Sequence, residues 1–291
     1  MPSKLHLPFA VAAASTFALL VAGVAHADPV IIWQNGFESA DTCAWAATEP
    51  TATCDPEMVF VPAGTFTMGN PVPVGAQPVH NVNLSAFWID RNDVTVDAYA
   101  ACVTAGGCTP IASYSGDPAC NFAAPPTGDN PVKCADWHQG LAYCTWAGKR
   151  YPTEAEWEKA ARSTDARTYP WGEVTPTCDY AVVFDLNVGG PGCGLSSTWP
   201  VGSKPAGQSP YGALDMAGNV WQWVNDWYDP SYYSVSPATD PSGPATGSRR
   251  VLRGGSFRTF NDIGVGSSVR GDADPSARAS TYGFRCARDA E

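Results

Sequence analysis

Histidine, basic charge and long apolar runs are the scarce features of this 291-residue chain. Two of its four histidines, His6 and His26, lie within the first 27 residues. Only His80 and His138 follow, so a three-histidine metal centre from the rest of one chain is excluded. A Ser-His-Asp triad is reduced to two candidate bases. No CxxC pair occurs, which argues against a zinc ribbon or a thioredoxin-type redox site. Lys and Arg number 17 against 28 Asp and Glu, for a net charge of −11. Nucleic acid and anionic membrane surfaces are therefore disfavoured as partners, because both require concentrated positive charge.

The one long apolar run spans residues 7–24, after Lys4, and ends in Ala25-His26-Ala27. This pattern predicts a cleaved signal peptide over 1–27 and an exported product with no membrane insertion. No cysteine adjoins the cleavage site to carry a lipid; the first is Cys43. Removing the segment removes Lys4 and no acid, so the remaining chain is more acidic still.

Ten cysteines lie beyond that point: Cys43, Cys54, Cys102, Cys108, Cys120, Cys134, Cys144, Cys178, Cys193 and Cys286. An even count in an exported chain reads as up to five disulfides. Nearest-neighbour spacing suggests Cys43–Cys54, Cys102–Cys108 and Cys120–Cys134. Residues 28–56 carry few order signals and read as an N-terminal extension, with one short strand over 30–33. From Met58 the pattern sharpens, with strands expected over 58–61 and 65–69. Helices are expected over 95–105, 136–147 and 153–162. The second and third open with capping boxes, Asp136 with Gln139 and Thr153 with Glu156. The third is expected to bury Trp157, Ala160 and Ala161. Nothing after about residue 165 has a helical period, and short strands are expected over 220–224 and 250–252. The fold class is α+β, low in regular structure and stapled by disulfides.

Six blocks carry a resemblance: MVFVPAGTFTMG at 58–69, YCTWAGKRYPTEAEWE at 143–158, YPWG at 169–172, YGALDMAGNVWQW at 211–223, RGGSF at 253–257 and YGFRC at 282–286. In this order they resemble the formylglycine-generating enzyme (sulfatase-modifying factor) family, over a domain spanning residues 57–291. The resemblance implies a C-type-lectin-like α+β fold. It also implies two catalytic cysteines after the RGGS strand, which bind copper, activate dioxygen and oxidise a substrate cysteine. Those positions hold Thr259 and Gly264, and neither can bind Cu(I) through sulfur, so no copper is expected.

The resemblance pairs Cys144 with Cys286, and the family's other disulfide falls on Ala161 and Val269, both without sulfur. It places a calcium-binding Asp at Cys193 and a companion Asn at Val182, so a Cys178–Cys193 disulfide is expected to hold that loop instead. A second calcium site aligns with Asp215, Gly218, Val220 and Gln222, where Gln222 replaces the usual Glu. Trp221, Ser256 and Thr259 are groove candidates; Trp223, His80 and His138 are expected to be structural. The function expected is a monomeric, exported, non-catalytic binding module for a peptide segment or a carbohydrate. The alternatives are an oxidase or related protein-modifying enzyme acting on cysteine, and a structural cell-envelope component. The thiol inventory separates them, because a copper oxidase of this type needs two free cysteines.

Overall fold

Short alternating segments and tight turns build most of the molecule. The computed structural model describes residues 57–72, 76–112, 117–120, 128–260 and 264–290. The expected signal peptide 1–27, the extension 28–56 and the Cys43–Cys54 pair lie outside the described residues.

Strand β1 (Met58–Val61) is nearly all buried, as its uninterrupted apolar sequence requires. It pairs antiparallel with β4 (Phe87–Asp90), which also pairs antiparallel with β9 (Ala287–Asp289). Between them, β2 (Gly64–Met68) and β3 (His80–Leu84) form an antiparallel ribbon. The largest sheet has the order β7-β6-β5-β8. It comprises β5 (Trp221–Trp227), β6 (Arg250–Arg253), β7 (Arg270–Ala273) and β8 (Tyr282–Phe284), with β5 and β8 parallel.

Three α-helices are described: α1 (Val96–Thr104), α2 (Trp137–Trp146) and α3 (Glu154–Arg162). The Thr95 side chain caps α1, and both expected capping boxes are formed. These caps satisfy first-turn N–H groups, which is why the starts are legible locally. After α3 the described residues hold only three-residue 3-10 turns among the strands.

Helix α3 departs from expectation. Every residue from Glu154 to Arg162 is buried, charged ones included. The acids are paired across the core. Glu158 lies 2.6 Å from Arg253 and 3.0 Å from Arg162, and it accepts the Gly69 N–H at 2.8 Å. Glu154 lies 2.7 Å from Arg270. Burial of charge is tolerated only with such partners. The helix thus ties β6, β7 and the end of β2 together through ions as well as through Trp157.

Four disulfides are formed, most of their cysteines buried: Cys102–Cys108, Cys120–Cys134, Cys144–Cys286 and Cys178–Cys193. They join the partners that spacing and resemblance suggested. No cysteine among the described residues is free. His80 rests against Tyr233 at a ring distance of 4.9 Å, and His138 meets Trp137 edge-on at 5.3 Å. Neither has a nucleophile beside it in these contacts.

Candidate functional site

The site begins where β6 ends. Gly254 and Gly255 take φ values of +90° and +73°, conformations that cost most residues energy. Space imposes the same choice at the second glycine. A Cβ on Gly255 would come within 2.6 Å of Val265 Cγ1 and 2.8 Å of the Gly264 carbonyl oxygen. The chain therefore doubles back so that Gly264 faces Thr259. A Cβ added at Gly264 would lie 2.1 Å from the Thr259 methyl. The tertiary structure thus brings the two positions side by side, although they are five apart in sequence.

Thr259 is locked in place. Its Oγ1 accepts the Ser256 N–H at 2.9 Å and lies 3.3 Å from Ser256 Oγ, while its own N–H donates to the Ser256 carbonyl. Ser256 is only 1% exposed, so its hydroxyl braces the turn and does not line an open groove. Trp221 is half-buried in the cluster around Trp223, Leu252 and Phe284, with its ring packed over Gly271. Of the three groove candidates, the structure therefore joins Ser256 and Thr259. Trp223 is fully buried, and its indole N–H donates to the Ala135 carbonyl at 3.1 Å. It is a core residue, as expected.

Sequence reasoning missed the surroundings of Thr259. The Phe184 N–H donates to the Thr259 carbonyl, and the Phe184 and Phe260 rings lie 4.5 Å apart. Phe260 is 58% exposed, and Leu186 and Leu195 are exposed on the same side loop. The Cys178–Cys193 bond pins that loop, and Gly192 N–H donates to the Phe257 carbonyl. Lys133 and Asp117 both lie within electrostatic reach of Arg258. Burial holds the Lys133 amine below its usual range, with Arg258 adding to the effect and Asp117 opposing it. Neither cation forms an ion pair among the described residues. Only the position of Arg258 between Ser256 and Thr259 hinted at this in the sequence.

A second cluster lies on the 215–222 turn. The Asp215 carboxylate accepts the Gly202 N–H at 2.7 Å, with Asn219 Nδ2 3.5 Å away. Gln222 is fully buried. Its Oε1 accepts both Trp157 Nε1–H and Arg285 Nε–H at 2.7 Å, and its Nε2–H donates to the Asp215 carbonyl at 2.7 Å. Burial raises the Asp215 carboxyl above the usual range, against the lowering effects of Gly202, Arg285 and Asn219.

Residues 44–290 match the model of the sulfatase-modifying factor enzyme 1-like domain. The chain belongs to this sulfatase-modifying factor family. The match starts inside the segment 28–56 that the sequence sets apart. Among its relatives, the formylglycine-generating enzyme of Streptomyces coelicolor is 36% identical over 84% of this chain and 95% of its own length. The formylglycine-generating enzyme of Mus musculus is 31% identical over 80% and 75%. Among solved structures, PvdO from Pseudomonas aeruginosa aligns with a TM-score of 0.67 and 29% identity, covering 80% of this chain and 94% of that one. The Treponema denticola variable protein 1 aligns at 0.64 and 26%, covering 80% and 95%.

Within this family frame, the residues present do not fit copper. At the two ligand positions Thr259 offers a hydroxyl already bonded to Ser256, and Gly264 offers no side chain. Cu(I) requires soft sulfur donors, and neither position supplies one. The expected calcium set does not fit either. Asp215, Gly218, Val220 and Gln222 do share one turn. However, a carbonyl oxygen has two lone pairs, and both of those on Gln222 Oε1 are taken by N–H donors. Flipping the amide would aim its NH2 at two groups that can only donate. Among the described residues no group of three or more His, Cys, Asp or Glu side chains is placed to hold a metal ion. At the other expected calcium positions, Val182 is fully buried and bridges to Gly218, and Cys193 is disulfide-bonded, so neither side chain offers an oxygen.

Proposed function

We propose that this family member is an exported, non-catalytic module that binds a peptide segment at the surface around Thr259. The observation that carries the reading is the Thr259–Gly264 pair. The turn that brings the two ligand positions together is kept, and the sulfurs are absent from both. Export is supported by four disulfides, which persist in oxidising compartments, and by the apolar N-terminal run. Among the described residues no helix is long and apolar enough to cross a membrane.

A peptide is preferred to a carbohydrate because of what surrounds the site. Phe260, packed against Phe184, is an exposed apolar side chain, and Leu186 and Leu195 are exposed further along the neighbouring loop; exposed apolar surface of this kind marks interaction sites. Arg258 and Lys133 offer charge not neutralised by an ion pair. An apolar side chain next to an acidic one matches both. The identity to formylglycine-generating enzymes favours the other reading, a modifying enzyme with chemistry carried by Thr259, Trp221 or a further cofactor.

One experiment separates them. A phage-displayed peptide library is panned on the purified protein, and the winners are titrated against Arg258→Glu and Phe260→Ser variants. Acidic, apolar peptides that lose about tenfold or more in affinity with each variant support the module. Binding confined to a glycan array replaces the peptide by a carbohydrate. Conversion of a cysteine peptide to an aldehyde by the unmodified protein establishes the enzyme.

A further inference from the structure

We propose that the Gln222 amide N–H, backed by the Arg285 guanidinium, stands where a cation would otherwise hold the 215–222 turn, and that Gln222→Glu alone converts the turn into a calcium site. The turn needs something at its centre. Asp215, Gly218 and Asn219 all take positive φ, at +53°, +79° and +56°. For the two non-glycine residues this conformation costs energy, and the surroundings must over-determine it. The Asp215 carbonyl points inward and is met by Gln222 Nε2–H at 2.7 Å. That single donor hydrogen does the job of a cation.

The positive charge nearby is also already supplied. Arg285 is fully buried. It donates to Gln222 Oε1, to the Asp90, Arg91 and Leu214 carbonyls, and to Asp93 at 3.2 Å. Through these bonds it gathers the ends of β4, β5 and the 214–215 segment on one guanidinium. Adding a divalent ion to the Gln222 side of this group would set two positive charges close together in a dry interior, against an amide oxygen whose lone pairs are already taken by Trp157 and Arg285.

Replacing the amide by a carboxylate reverses the balance. One Glu oxygen would keep the two N–H donors of Trp157 and Arg285. The other would face the Asp215 carbonyl at the distance where the amide now donates, oxygen against oxygen. That arrangement is repulsive unless a hard cation sits between, and calcium prefers such oxygens.

The test compares melting temperatures of wild type and Gln222→Glu in EGTA and in millimolar calcium. The wild type is expected to melt at the same temperature in both. The variant is expected to melt lower in EGTA and to regain about 4 °C or more in calcium. A Gln222→Glu protein with no response to calcium overturns the proposal. The wild-type arm stands without any variant. Terbium emission excited through tryptophan should show no component that calcium displaces and that Trp157→Phe removes. Such a component, or a calcium-dependent rise in the wild-type melting temperature that Asp215→Ala abolishes, also overturns it.

Discussion

Thr259 and Gly264 constrain each other more tightly than either constrains the rest of the turn. Any Cβ at 264 collides with the Thr259 methyl, while the Thr259 hydroxyl is needed by the Ser256 N–H. Gly264→Ala should therefore destabilise the protein by about 1–3 kcal/mol, the usual cost of overpacking. Adding Thr259→Ser removes the methyl and keeps the hydroxyl, so the pair should recover most of that loss. Urea unfolding of the two single variants and the double variant measures the coupling; strictly additive effects would show that the two residues do not meet. The same geometry bears on reconstruction of a thiol pair. Thr259→Cys with Gly264→Cys should fold better than Gly264→Cys alone, although Ser256 loses its acceptor.

At the scale of elements, the loop from Cys178 to Cys193 has a packed half, with Ala181, Val182 and Val183 buried, and an exposed half after residue 185 that relies more on the disulfide. Leu186, Val188 and Leu195 face solvent, and the backbone is braced at a few points, such as the Gly192 N–H to the Phe257 carbonyl. The bond closes a 15-residue separation, for which loop-closure entropy gives about 3 kcal/mol. Replacing both cysteines by serine should raise hydrogen exchange across 184–196 before it affects α3. Exchange that rises equally in α3 would mean that the loop and the core unfold as one unit. The peptide-binding reading needs this rigidity, because Phe184 on the loop positions Phe260 beside Thr259. Cys144–Cys286 acts differently, tying α2 to the end of β8 across 142 residues.

Over the whole molecule, stability should fall between mildly acidic and mildly basic pH because burial raises several acids, Asp90, Asp93, Asp215 and Asp226, of which Asp226 can be tested alone. Asp226 is 3% exposed and accepts the Glu154 N–H at 2.8 Å. Burial, with the neighbouring Glu154 charge second, pushes its carboxyl up to about 8, against about 3.9 in an unfolded chain. The native state then holds a proton that the unfolded state has released. Its contribution is fully present below about pH 4 and is lost as pH rises towards 8. Asp226→Asn keeps an oxygen for the Glu154 N–H and removes the charge. The variant should gain on the wild type between pH 5 and pH 8 in thermal melts, with the gap widest at pH 8. A constant gap would place the titration elsewhere.

Local chemistry made the helix starts readable, since each cap joins residues three apart in the sequence. The neighbouring cysteine pairs, the missing thiolates and the order of the six family blocks were readable for the same reason: they are written in short stretches. The expected bounds of β5 and β6 lie within a few residues of the observed ones, whereas nothing in the sequence marks β3, β4, β7, β8 or β9. These are strands of three to five residues, with too few positions to display a period. Only the tertiary structure decided the fate of the charges. Glu158 meets Arg253 across 95 residues and Glu154 meets Arg270 across 116, so a helix that reads as half-polar is wholly buried. It likewise decided that Gln222 has no oxygen to spare, because Trp157 and Arg285 reach it from 65 and 63 residues away. Composition specifies which groups can bond, but a buried polar group takes its role from the partners that folding brings within 3 Å.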